Sequence, residues 1–181
     1  MITVAGPDDR RGVLEALVAA FVKDPALRHV FPDDDTYPRY AEAFFGACFD
    51  KRVGHRSIWT IQGGAATAIW EPPGVTHAGD TLESVLPADA LERVRAYDEA
   101  VHAALPSEPF WYLGVLGTHP DHTGRRWAQA VMHAGLDRAA ADGLPAVLET
   151  SNPANVDFYR QAGWQVTGEI ETPLPTWIMH R

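Results

Sequence analysis

Two segments of this 181-residue chain concentrate residues able to do chemistry. The first, YLGVLGTHPDHTGRRWAQAVM, covers residues 112–132. An apolar strand-like run enters a short loop, and the loop opens into a helical pattern whose first turn holds Gly124 and Ala128. Amides at a helix start have no intrahelical partner, and the helix dipole favours an anion there. Arg125 and Arg126 add two cations at the same place, in a chain that is acidic elsewhere. A pyrophosphate site fits this segment; so does a solvated helix start with two surface arginines. The second segment, LETSNPANVDFYRQAGWQV, covers residues 148–166. A strand pattern ends at Glu149, an Asn-Pro turn opens a helix, and a glycine closes it before the next strand. Tyr159 is a phenol that can lend a proton to a departing thiolate (pKa ~10). Read alone, an aromatic pair such as Phe158 and Tyr159 is more often packing than chemistry.

The elements needed to position these residues can be read around them. Ile2–Val4 reads as a short strand, and Asp8 and Asp9 offer an N-cap for a helix to about Lys23. Val13, Leu14, Leu17, Val18 and Phe21 share one face of that helix. Asp24-Pro25 breaks it, and a second short helix runs from Pro25 to Val30. FPDDDTYP reads as a turn with a solvated acidic cluster, and Pro38–Phe49 as a third helix. Ser57–Ile61 and Ala66–Trp70 form a hairpin about Gly63-Gly64. Thr81–Leu105 is helical in composition, divided at Pro87. Phe110–Thr118 is the strongest buried strand, followed by a helix over Gly124–Asp142 and a strand at Ala146–Glu149. A helix over Pro153–Ala162 and closing strands at Trp164–Ile170 and Trp177–Met179 complete the order. No linker or repeat divides the chain, so the expectation is one domain, 1–181, with a mixed α/β sheet in three layers.

Composition excludes several classes. Fifteen Lys and Arg against 24 Asp and Glu leave a net charge of −9. That balance argues against tracking nucleic acid or an anionic membrane surface. Cys48 is the only cysteine, so neither an intrachain disulfide nor a cysteine-rich zinc site is open to the chain. The N-terminus lacks a secretory pattern, and its most apolar run falls far short of the ~20 residues of a membrane span. A cytoplasmic protein is expected. His119 and His122 form an H-x-x-H without further ligands nearby, so no metal is expected.

TGRRWA and NPANVDFYRQAGW, at this separation, resemble the acetyl-CoA-binding half of the GCN5-related N-acetyltransferase (GNAT) superfamily. DPALRHVFPD, AIWEPPG, SEPFWYLGVLGTHPDH, GLPAVLETSNPANVDFYRQAGW and TWIMHR resemble its puromycin N-acetyltransferase branch across nearly the whole chain. The resemblance implies a three-layer α/β/α fold whose mixed, mostly antiparallel sheet is splayed at the cofactor site. The acceptor side would be built by about 1–108 and the acetyl-CoA side by about 109–181. It further implies that the pantetheine arm pairs along Leu116, Gly117 and Thr118, where an N–H would polarise the thioester carbonyl. The pyrophosphate would rest on the amides of Gly124, Arg125, Arg126, Trp127 and Ala128. Asn155 matches the family's cofactor-arm asparagine, and Tyr159 its tyrosine acid.

This sequence departs from the family's Gln/Arg-x-x-Gly-x-Gly/Ala loop, whose positions are Thr123, Arg126 and Ala128 here. Arg126 stands where glycine usually lets backbone approach phosphate. Some family members carry a glutamate at the position of Tyr112. Glu149 is therefore the candidate general base, acting through water, or else it orders the loop holding Asn152; Glu71 is the runner-up. Phe31, Tyr37, Tyr40, Phe44 and Phe45 suit a core or an acceptor pocket, and an aspartate among Asp33–Asp35 could draw a cationic amine to the mouth. The expected activity is acetyl transfer from acetyl-CoA to a primary amine of a small molecule, in a ternary complex without an acyl-enzyme, by a monomer or homodimer. The alternative is a CoA-binding or regulatory module without turnover.

Overall fold

The computed structural model describes residues 1–75 and 81–181. Among these residues, thirteen regular elements follow the expected order, and their ends differ where local hydrogen bonding decides. After β1 (Ile2–Val4), Pro7–Asp9 form a tight 3-10 turn, and Asp9 accepts the Gly6 N–H at 2.8 Å. Helix α1 (Arg10–Ala20) then buries Val13, Leu14, Ala16 and Leu17. Asp24 both ends that segment and caps α2 (Pro25–Val30), its Oδ1 accepting from Leu27 N–H at 3.0 Å with Pro25 at the first position. The acidic turn is solvated, as expected, and is also ordered by its own hydrogen bonds. Asp33 accepts from the Thr36 N–H and hydroxyl, both at 2.9 Å, and Asp34 pairs with Arg28. Helix α3 (Tyr37–Val53) runs one turn beyond Phe49, and Lys51 and Arg52 suit the negative end of its dipole.

Strands β2 (Ile58–Ile61) and β3 (Ala66–Glu71), helix α4 (Ala88–Ala104) and strand β4 (Trp111–Thr118) follow. Helix α5 (Trp127–Ala141), strand β5 (Ala146–Thr150), helix α6 (Pro153–Gln161) and strands β6 (Gln165–Ile170) and β7 (Thr176–His180) complete the chain. The sheet order is β1-β2-β3-β4-β5-β7-β6, and only β4 and β5 are parallel. Helices α1 to α4 pack one face around Phe31, Phe45, Phe49, Ile58 and Ile69. Helices α5 and α6 pack the other around Trp70, Leu113, Met132 and Trp164. This is the expected three-layer, mostly antiparallel α/β/α arrangement. Helix α5 lies so close to β3 that a Cβ on Gly135 would sit 2.2 Å from the buried Trp70 ring. Among the described residues, no helix is long and apolar enough to cross a membrane.

One irregularity in β4 positions the site. Against β3, Val115 pairs with Ile69 while Leu113 pairs with Trp70, so Gly114 is the extra residue of a bulge. The bulge resets the alternation of faces. Leu113 and Leu116 join the α5 side, whereas Val115 joins the α1–α4 side.

Candidate active site

β4 and β5 are hydrogen-bonded neighbours only from Trp111↔Ala146 to Leu113↔Leu148. Past that point the strands separate, while β4 continues to Thr118 held by β3 alone. The β4 edge at Leu116, Gly117 and Thr118 therefore keeps main-chain groups available toward the gap. A cleft of about 750 Å³ opens there. Its lining brings together Leu116, Gly117, Thr118, Thr123, Gly124, Arg125, Arg126, Trp127, Ala128, Asn152, Asn155 and Tyr159. The hydroxyl of Thr118 and Nδ1 of His122, both on this lining, are buried without a hydrogen-bond partner among the described residues. Such orphaned polar atoms fit a site made for a polar ligand.

The loop before α5 corrects one expectation. Gly124 and Arg126 have φ of +78° and +58°, so neither lies in the first helical turn; the helix starts at Trp127. The Ala130 N–H bonds back to Arg126 O at 3.1 Å, leaving the amides of Trp127, Ala128 and Gln129 ahead of the intrahelical ladder. Arg126 thus occupies a left-handed conformation that glycine adopts at lower cost. The Arg125 guanidinium sits 5.0 Å over the Trp127 ring, and His122 stacks on the same indole at 5.4 Å. His119 turns inward on its own loop, Nδ1 accepting from Asp121 N–H at 3.2 Å. No cluster of three metal-ligating side chains occurs among the described residues.

Helix α6 supplies the other wall. Asn152 caps it, accepting from Ala154 N–H at 3.1 Å, and Thr150 Oγ1 takes both the Asn152 N–H and the Asn155 amide. One turn on from Asn155, Tyr159 is buried against Phe158 and Trp164. Burial first, then the charges of Glu149 and Asp24, push its phenol well above the usual range. It stays protonated at neutral pH, as an acid must.

Glu149 does not line this cleft. It faces a chamber of about 400 Å³ on the α4 side of the sheet, where the Tyr112 hydroxyl donates to its carboxylate. Burial raises its pKa to about 8; the Tyr112 bond pulls down, and the charges of Asp98 and Asp24 push up. Glu149 thus bonds to a neighbouring strand rather than to the loop holding Asn152. Glu71 also lines the chamber and is held by Arg52 at 2.6 Å.

The site thus joins an exposed strand edge, an anion-ready helix start and a protonated phenol, with a half-buried carboxylate on the other face of the sheet. Residues 93–167 match the family model of the acetyltransferase (GNAT) domain. Solved structures share the fold over nearly the whole chain. A Corynebacterium glutamicum structure of histone acetyltransferase HPA2 and related acetyltransferase is 20% identical, with TM-score 0.70, covering 99% of this chain and 94% of that one. An N-acetyltransferase from Staphylococcus aureus is 17% identical, with TM-score 0.64 and both chains covered completely (100%). Arylalkylamine N-acetyltransferase 2 from Aedes aegypti is 10% identical, with TM-score 0.66, covering 100% of this chain and 97% of that one.

Within this GNAT fold, sequence reasoning missed the contribution of the α1–α2 connection. Ala20, Phe21, Lys23 and Asp24 line the cleft, though they lie far from the two motifs in the chain. Asp24 is notable because its largely buried carboxylate acts on Tyr159, Glu149, Tyr37 and Tyr97. The Asp-Pro pair was legible as a helix break, but only its α2 cap brings Asp24 to the cleft, from which its charge acts on Tyr159 and Glu149.

Proposed function

We propose that the chain is an N-acetyltransferase that moves the acetyl group of acetyl-CoA to the primary amine of a small molecule, without a metal. The observation that carries this reading is the unpaired β4 edge opening onto the cleft beside Tyr159. Main-chain groups of Leu116–Thr118 would pair with the pantetheine arm as with an added strand. An N–H of that edge would stabilise the developing oxyanion. Lys23, Arg125, Arg126 and the α5 amides would hold the pyrophosphate, and Asn155 the arm. Glu149 takes a proton from the ammonium, directly or through water. The amine then forms the C–N bond as C–S breaks, and Tyr159 protonates the departing sulfur. Cys48 lines the Glu149 chamber rather than the cofactor cleft, consistent with direct transfer and no acyl-enzyme.

The finer reading places the chain in the puromycin N-acetyltransferase branch, on the motifs quoted above. It works as one cytoplasmic domain, monomeric or homodimeric, with nucleic acid and membranes outside its partners. Arg126 in a strained left-handed conformation favours a second reading, a CoA-binding module without turnover. Calorimetry with CoA, joined to a thiol-release assay with acetyl-CoA and varied amines, separates the two. Binding that weakens in Arg125→Ala, with thiol release, supports the enzyme. Binding without release for any amine supports the module, and no binding overturns both.

A further inference from the structure

The chamber behind Glu149 carries an inference about the acceptor, and it rests on the acetyltransferase reading above. Its floor is β4, where the bulge presents Gly114 and Val115 on the same face; α2, α3 and α4 form the walls. Most of the lining is hydrocarbon, with Leu27, Val30, Phe44, Val94, Val101 and Leu105 prominent. Its volume, about 400 Å³, is small among ligand sites, which run to ~1,000 Å³.

Polar chemistry gathers around Glu149. Tyr112 donates to it, and the charge of Asp98 acts on it. The Tyr97 hydroxyl, which also feels Glu149, is tied to Ser151 at 3.1 Å. The basic side chains lining the chamber all have partners within the protein. Arg52 holds Glu71 and donates to Cys48 O at 3.1 Å, leaving only its Nε without a partner among the described residues; His102 Nδ1 meets Asp98 O at 2.9 Å, and Lys51 is likewise engaged. An incoming carboxylate or phosphate would meet Glu71, Asp98 and Glu149, with the Arg52 charge already offset by Glu71, and a second ammonium would be buried among hydrocarbon.

A hollow of about 550 Å³ shares Glu71, Phe110 and Tyr112 with the chamber and continues past Pro72–Gly74 and Ser107–Pro109. It gives the acceptor a route separate from the cofactor cleft.

We propose that this chamber takes the acceptor's whole body, and that the acceptor is a compact monoamine with an aromatic or branched apolar body and no carboxylate or phosphate. Its nitrogen would meet Glu149 and reach the thioester through the β4–β5 gap, which lies between the chamber and the cleft. The ammonium gives one proton to Glu149, and the freed lone pair forms the C–N bond. The C–S electron pair leaves with sulfur, and the remaining excess proton on nitrogen replaces the one Tyr159 gives to that sulfur. The products are the N-acetylamine, CoA thiol and protonated Glu149, which returns its proton to solvent.

The test is thiol release at saturating acetyl-CoA with 2-phenylethylamine, L-phenylalanine, spermidine, kanamycin and a lysine-containing peptide. The expected result is a kcat/KM for 2-phenylethylamine at least ~10-fold above each of the others. Equal or better use of any other acceptor overturns the acceptor class while leaving acetyl transfer standing. No release with any amine, although CoA binds, overturns the acetyltransferase reading and this inference with it. Val94→Phe fills the chamber from α4, and CoA calorimetry reports whether the variant is folded. In the folded variant, KM for 2-phenylethylamine should rise at least ~10-fold with the acetyl-CoA KM unchanged; an unchanged amine KM overturns the placement. Should Val94→Phe not fold, the acceptor panel alone decides.

Discussion

Tyr159 and Glu149 lie on opposite faces of the sheet, and burial drives each toward its protonated form. For Tyr159 this favours the proposed role, because a phenol that keeps its proton can donate it. Tyr159→Phe retains the ring packed on Phe158 and Trp164 and deletes only the hydroxyl. We expect kcat to fall ~10²–10⁴-fold, the usual worth of general acid catalysis, with acetyl-CoA affinity little changed. Near-wild-type turnover in the folded variant, with chemistry rate-limiting, would remove Tyr159 from the mechanism. For Glu149 burial opposes the proposed role, because the base must be charged. With its pKa near 8, kcat/KM should climb with pH through that value. Tyr112→Phe removes a hydrogen bond that favours the charged carboxylate, so the rise should move to higher pH, with lost activity recovered there. An unmoved profile would mean that Glu149 is not the titrating base. The same shift has a stability consequence. Glu149 binds its proton more tightly folded than unfolded, so its stabilising effect is complete below its ordinary value of 4.5 and is lost as pH rises through about 8.

At the scale of elements, the loop into α5 is where local preference and function pull apart. The helix starts at Trp127 because Arg126 takes a left-handed conformation, which costs a non-glycine residue about 1 kcal/mol or more. Arg126→Gly should relieve that strain and raise Tm by roughly 2–4 °C per kcal/mol recovered in a protein of this length. It should also weaken CoA binding by calorimetry, because a cation leaves the pyrophosphate end. Higher Tm with unchanged CoA affinity would show that Arg126 contributes nothing to the phosphates. Helix periodicity and the Gly63-Gly64 hairpin were legible because they rest on neighbours in sequence. The position of the β4 bulge at Gly114 was not, since it exists only as a mismatch between β4 and β3. Nor was the start of α5, where glycine and arginine both suited a helix until their dihedral angles were known.

For the whole molecule, a net charge of −9 repels an anionic cofactor, so binding depends on the local cations Lys23, Arg125 and Arg126 at the cleft. Raising salt from ~0.1 to ~1 M shortens the screening length from ~10 to ~3 Å. CoA affinity should therefore fall several-fold over that range in the wild type and less in Arg125→Ala. Equal salt dependence in the two would separate Arg125 from the phosphates.

The sequence by itself determined the order of elements, the three-layer architecture and the two motifs around Gly124 and Tyr159. Each of these is written in short-range periodicity, turn residues and spacing. The family resemblance carried by those motifs further implied which of their residues would meet, and the residues it named from Leu116 to Ala128, with Asn155 and Tyr159, line one cleft. Only the tertiary structure decided that Asp24 joins them, that Tyr112 grips Glu149, and that Glu149 opens into a separate apolar chamber. Those contacts link residues 37 and more positions apart, across strands and helices that no local pattern connects. Whether a carboxylate is a base or a surface charge depends on what is folded over it, and here that cover is α4.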